Sequence, residues 1–210
     1  MTTNTKVPNL SATTHAPNPS ATHVSWSERL LAGDGSAGLA HEGRRLAVAV
    51  GLASTFGLAL GLRAGGLSIA WHALGVSLGI LGVCALAVPA LAILLALADA
   101  PVDALGLSRA TSRAAANAGL VLAGLAPGAA LFAVTVEDAI TVMLVGASGL
   151  SLAGAIGMGA FVRELGPRLA AEGARPGLLS KLALPAFLLF SAVLGARIWW
   201  ITLPLVRGAS

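Results

Sequence analysis

Arg197 lies about seven residues, or roughly 10 Å of helix, inside the end of the last long apolar run of the chain. Glu137 and Asp138 interrupt the sequence between two earlier apolar runs. A guanidinium within an apolar segment is costly unless it reaches water or meets an anion. If the ends of these runs share one membrane face, the two carboxylates are its natural partners, and His72 beside Trp71 adds a proton-responsive group there. The four residues would then line a polar vestibule, or Arg197 would hold a lipid phosphate. The plainer expectation is that Arg197 snorkels beside Trp199 and Trp200, with His72 an ordinary interfacial residue.

Asp99 and Asp103 stand four residues apart, a spacing that suits a metal ion, but no His or Cys lies near in sequence to complete a site. Arg109 and Arg113 follow at once, so ion pairs are the simpler reading. Asn117, polar inside an apolar run, is expected to hydrogen-bond a neighbouring helix. Cys84 is the only cysteine; it excludes an internal disulfide and reads as a small hydrophobe. There is no HExxH, no GxSxG, no phosphate-binding glycine loop ending in Lys-Ser/Thr, and no chain of carboxylates within the apolar runs. No catalytic residue, metal or cofactor is therefore expected, and the chain does not read as an enzyme.

The elements that carry these residues follow from composition. Of the 210 residues, 56% are hydrophobic and only 10% charged, with a mean hydropathy of +0.85. A water-soluble domain carries about 25% charged residues, so this chain has too few to cover a surface that water would solvate. An all-α, polytopic transmembrane bundle is expected, with the lipid bilayer as its main partner. About 20 apolar residues span the hydrocarbon core, and five segments qualify: about 46–66, 69–98, 114–134, 139–162 and 182–203. Pro89 and Pro127 fall inside the second and third, and Pro185 in the first turn of the fifth, where its missing donor costs little. Thr135 and Asp138 look like the capping pair of the fourth. Residues 1–24, rich in Thr, Asn, Ser and Pro, read as a disordered polar tail. Residues 25–45 read as a short interfacial amphipathic helix and linker, opened by the Ser25–Glu28 capping box with Trp26, Leu30 and Leu31 on one side; residues 206–210 form a tail. No cleavable signal peptide is visible.

Basic residues set the orientation. With the N-terminus in the cytoplasm, Lys6, Arg29, Arg44 and Arg45, then Arg109 and Arg113, then Arg163, Arg168, Arg175 and Lys181 all fall inside, leaving Arg63 and Arg207 outside. The net charge of +4 is thus read as topology and headgroup contact rather than nucleic-acid binding. Glycines recur at helix-packing spacings: Gly57, Gly61 and Gly65, then Gly75 and Gly79, then Gly124 and Gly128, with Gly154, Gly157 and Gly159 in the fourth run. They let backbones approach closely, either within the bundle or across a face that meets a membrane-protein partner or a second copy. So many glycines and alanines also predict a compact bundle with little room for a large ligand.

The glycine-rich first span leads into GGLSIAWHAL; VCALAVPALAILLALAD, LAGLAPGAALFAVT and the closing GARIWWITLPLVRG follow. From about Gly57 to Gly208 these motifs resemble a group of bacterial multi-pass membrane proteins related in architecture to the Yip/Yif-type family. The chain departs from that group in having Leu203-Pro204-Leu205 where Arg-Pro-Phe is usual, and Ala or Gly where bulkier residues stand. The resemblance implies a five-helix membrane protein without a defined activity, and it assigns no functional residues. The expectation is a protein of the bacterial cytoplasmic (inner) membrane acting as a scaffold or partner-binding subunit of a membrane assembly. The alternative is a small permease or channel subunit.

Overall fold

The computed structural model describes residues 38–97, 103–171 and 178–202. Of these, 93% are helical and none is in a strand. Five helices follow one another: α1 Leu39–Gly61, α2 Leu67–Leu97, α3 Ala104–Thr135, α4 Ala139–Ala171 and α5 Leu178–Thr202. Helices α1, α2 and α3, with Ala139–Pro167 of α4, are long and apolar enough to cross a membrane; the corresponding stretch of α5 is the shorter Pro185–Trp199.

Burial runs opposite to that of a water-soluble protein. The most apolar helix, α2, has a mean hydropathy of 2.8, yet only 17% of its apolar window is buried, whereas α1, at 1.2, has 39% buried. Leu67, Ile93 and Leu97 stand well exposed on α2, as does Leu189 on α5. A surface built from such residues is suited to hydrocarbon. Helix α1 forms the spine, packing against both α2 and α3; α4 then packs on α3, and α5 on α2. The interior along the spine is built from Ala49, Ala53, Phe56 and Leu60 with Ala116, Leu122, Val142 and Leu150. A second cluster joins Leu91, Ala110, Phe161, Leu165 and Phe187.

Glycine makes the close crossings possible. A Cβ on Gly119 would stand 2.5 Å from the carbonyl oxygen of Ala49, one on Gly57 2.5 Å from that of His72, and one on Gly61 2.5 Å from Cα of Ile69. Gly75 is buried on α2, and Gly79 receives the indole of Trp199. Not every predicted packing glycine serves this purpose. Gly65 and Gly66 adopt φ of 65° and 54° and turn the chain between α1 and α2. A Cβ on Gly124 or Gly128 would meet nothing within 4 Å.

Several helix ends differ from those expected: α1 stops short, at Gly61 rather than 66, where Gly65 and Gly66 turn the chain, and other ends are extended. Helix α1 starts at Leu39 rather than 46, so that part of the predicted linker is helical; α3 starts at Ala104 rather than 114, and α4 continues to Ala171 past Pro167. In each case the added turns carry charged residues that find partners inside the protein. Pro185 lies inside α5, not in its first turn, because the helix begins at Leu178. Thr135 is no cap: as the last residue of α3, its hydroxyl donates to the Leu131 carbonyl at 2.7 Å. The predicted tail and Trp26 helix, the C-terminal tail, Asp99, Arg175 and Arg207 lie outside the described residues, and so do the side chains of Arg168, Lys181 and Trp200.

Candidate functional site

At the end of the bundle where α1 begins, one buried carboxylate gathers three partners. Glu42, in the first turn of α1, is 4% exposed, and Arg45, one turn on, is 3% exposed. Arg45 Nη1 lies 3.1 Å from Glu42 Oε2, an oxygen that also accepts the hydroxyl proton of Ser112 on α3. Arg109 Nε approaches the other oxygen, Oε1, at 4.0 Å. One turn along α3 from Arg109, Arg113 donates through Nη1 to Glu164 of α4. A carboxylate removed from water needs such partners; Arg45 comes from α1 itself, and Ser112 and Arg109 from a second helix. The cluster therefore fastens α1 to α3 and α3 to α4. Each of these contacts joins side chains within or between helices, and so holds the helices together. Arg109 and Arg113 thus pair with Glu42 and Glu164, whereas Asp103 stands at the start of α3 without a side-chain capping bond. Asn117 does not reach a neighbouring helix; its Nδ2 donates to the Arg113 carbonyl of α3 itself, at 2.9 Å.

The opposite end carries the predicted polar residues but does not assemble them. Arg63, in the turn after α1, donates to the carbonyl of Val136 at 3.2 Å and to that of Glu137. It thus ties the α1–α2 turn to the α3–α4 turn through backbone oxygens. Asp138 caps α4: Oδ2 accepts from the Thr141 amide at 2.9 Å and hydroxyl at 2.7 Å, and Oδ1 from the Ile140 amide at 3.2 Å. The Thr141 hydroxyl, then the two amides, hold its carboxyl below the usual carboxylate range, with Arg63 adding to the effect. Arg197 is exposed on α5, which packs against α2; among the described residues it makes no ion pair. His72 is buried within the protein. It is 4% exposed, with Nδ1 2.8 Å from the Ser68 carbonyl and Nε2 without a partner. Trp71 beside it does face outward.

The middle of the molecule holds what composition argued against. A cavity of about 680 Å³ opens between α2, α3, α4 and α5. Small residues produce it: α4 and α5 are not a packed pair, and the exposed Ala147, Gly154 and Ala155 of α4 face Ala192 and Ala196 of α5 across the gap. The floor is apolar, with Cys84, Leu122, Met158 and the tilted ring pair Phe161–Phe187, whose centroids lie 5.4 Å apart. No Asp, Glu, Lys or Arg lines it. Trp199, expected at an outer interface, closes one part of the wall with its indole N–H unpartnered, and Ser191 is buried there with an unpartnered hydroxyl.

Comparison with family models, with curated proteins and with solved structures gives no match.

Two groups of residues went unread in the sequence. Glu42 and Arg45, three apart, could have been found as an ion-paired first turn, with Arg109, Ser112 and Arg113 as a matching polar edge on α3. Ser191 offers a fainter signal, a single hydroxyl in an otherwise apolar run.

Proposed function

We propose that this chain is a five-span protein of the bacterial inner membrane, with its N-terminus in the cytoplasm, that works by binding rather than by catalysis. It serves as a scaffold or partner-binding subunit of a membrane assembly. Ten of its thirteen basic residues would lie on the cytoplasmic side in that orientation, and the 25 residues of α5 supply the length of a fifth crossing.

One observation carries the binding role. The bundle uses Gly57, Gly61 and Gly119 for its own helix crossings, yet Gly124 and Gly128 stand exposed on α3, one turn apart, with nothing within 4 Å of either Cβ position. Exposed Leu131 and Val134 continue the surface. In lipid, two glycines at this spacing let another helix approach closely, and packing then drives association. The permease reading draws less support, because Arg197 sits on α5 while Glu137 and Asp138 lie between α3 and α4.

Replacing both glycines, as Gly124→Leu with Gly128→Leu, is expected to weaken association by tenfold or more, the scale of a few lost helix contacts, ~1–2 kcal/mol. Energy transfer between labelled copies in liposomes, or recovery of a co-purifying membrane protein, reads the loss. The thermal midpoint of the monomer should not fall, because neither Cβ position meets an atom within 4 Å and leucine is the better helix former. Equal association of wild type and variant by both measures would contradict the role.

A further inference from the structure

We propose that the central cavity is a binding site for an elongated, uncharged lipid molecule that carries a carbonyl oxygen and enters sideways from the bilayer. This inference is independent of the α3 face.

Ser191 sets the chemistry. Other hydroxyls in these helices find partners, several of them in their own backbone: Ser77 donates to the Ala73 carbonyl at 2.9 Å, Thr111 to Leu107 at 2.8 Å and Ser148 to Val145 at 2.9 Å. Ser191 alone among the cavity's buried residues keeps a hydroxyl with no partner, at 4% exposure. An unmade hydrogen bond in an apolar interior is unfavourable, and an acceptor on a ligand would supply it. The absence of charged lining residues excludes a phosphate or carboxylate headgroup from the cavity itself. The volume of about 680 Å³ falls in the range of small-molecule sites, too small for a transmembrane helix some 10 Å across and 30 Å long. From Phe187 to Trp199 the wall runs about 18 Å along α5, which suits a chain rather than a compact ring. The gap between α4 and α5, lined by Ala, Gly and Ser, gives entry at the depth of the apolar spans.

The test uses the full chain in phosphatidylcholine nanodiscs and three photoreactive compounds of equal length: a diazirine-bearing acylglycerol, a benzoquinone with a diazirine-bearing alkyl tail, and a diazirine-bearing alkane. Adducts mapped by mass spectrometry should fall on Met143, Met158 and Phe161 and be competed by the unlabelled carbonyl compound. Preference for acylglycerol identifies an ester lipid; preference for the quinone identifies a ring ketone. Ser191→Ala should weaken the carbonyl compounds about fivefold, the worth of one neutral hydrogen bond, and leave the alkane unchanged. Gly154→Phe, placed where no atom lies within 4 Å of the Cβ position, should abolish adducts of all three. Uncompeted labelling of the outward-facing Leu67, Ile93 and Leu189 would overturn the proposal, and so would an unchanged affinity in Ser191→Ala. Adducts that form only after deletion of residues 2–37 would also overturn it, since the chain's own N-terminal segment would then be the occupant.

Discussion

Glu42→Ala is expected to destabilise the bundle by about 3–5 kcal/mol, the cost of removing one member of a buried ion pair. Arg45, 3% exposed, would lose its carboxylate, and the Ser112 hydroxyl would lose its link to α1. The favourable half of the original arrangement would be gone while the desolvation of the guanidinium remained. Glu42→Gln should fall between, because an amide oxygen still accepts from Ser112 but brings no charge. The midpoint of chemical or thermal unfolding in mild detergent measures both. A change in Glu42→Ala below about 0.5 kcal/mol, the size of an ordinary surface substitution, would mean that water reaches the cluster.

Gly119→Ala should have the second largest effect. The added methyl would stand 2.5 Å from the Ala49 carbonyl oxygen and 3.1 Å from its Cα. Both are backbone atoms of α1, so no rotamer change can relieve the contact. The two most central helices would have to separate, and separation loosens contacts around Ala53, Ala116 and Leu122 together. Overpacking of this kind costs about 1–3 kcal/mol. Gly128→Ala is the matched control: its Cβ enters open space, and better helix propensity predicts a small gain of about 0.5–1 kcal/mol. Equal effects of the two substitutions would show that the α1–α3 crossing is not as close as described.

These two residues also mark how far the sequence could be read. The all-helical, apolar architecture was legible, because a run of about 20 apolar residues has few other fates. The ends of the helices were not. Glu42, Arg109 and Arg163 look like boundary markers when hydropathy is summed along one segment, yet all three lie within helices. Glu42 and Arg109 are compensated by each other across α1 and α3, a pairing that linear patterning does not see. The glycines divide in the same way. Spacing alone treats Gly57, Gly65 and Gly128 alike, whereas one supports a helix crossing, one turns the chain and one faces outward. Arg197 stands on α5, which packs against α2, and among the described residues it makes no ion pair with Glu137 or Asp138. The cavity was missed because small side chains were expected to bring all helices together, whereas α4 and α5 meet at Phe161 and Phe187 and leave a gap beyond them.

The proposed topology has an odd number of crossings and a cytoplasmic start. Cysteine labelling tests it directly, since Cys84 is the single native thiol. In a Cys84→Ala background, Ser20→Cys and Ala209→Cys are each exposed to a membrane-impermeant maleimide in intact spheroplasts and again after lysis. The five-span reading predicts immediate labelling of the thiol at 209 and labelling of the thiol at 20 only after lysis. Both thiols reacting before lysis, or neither, would contradict it.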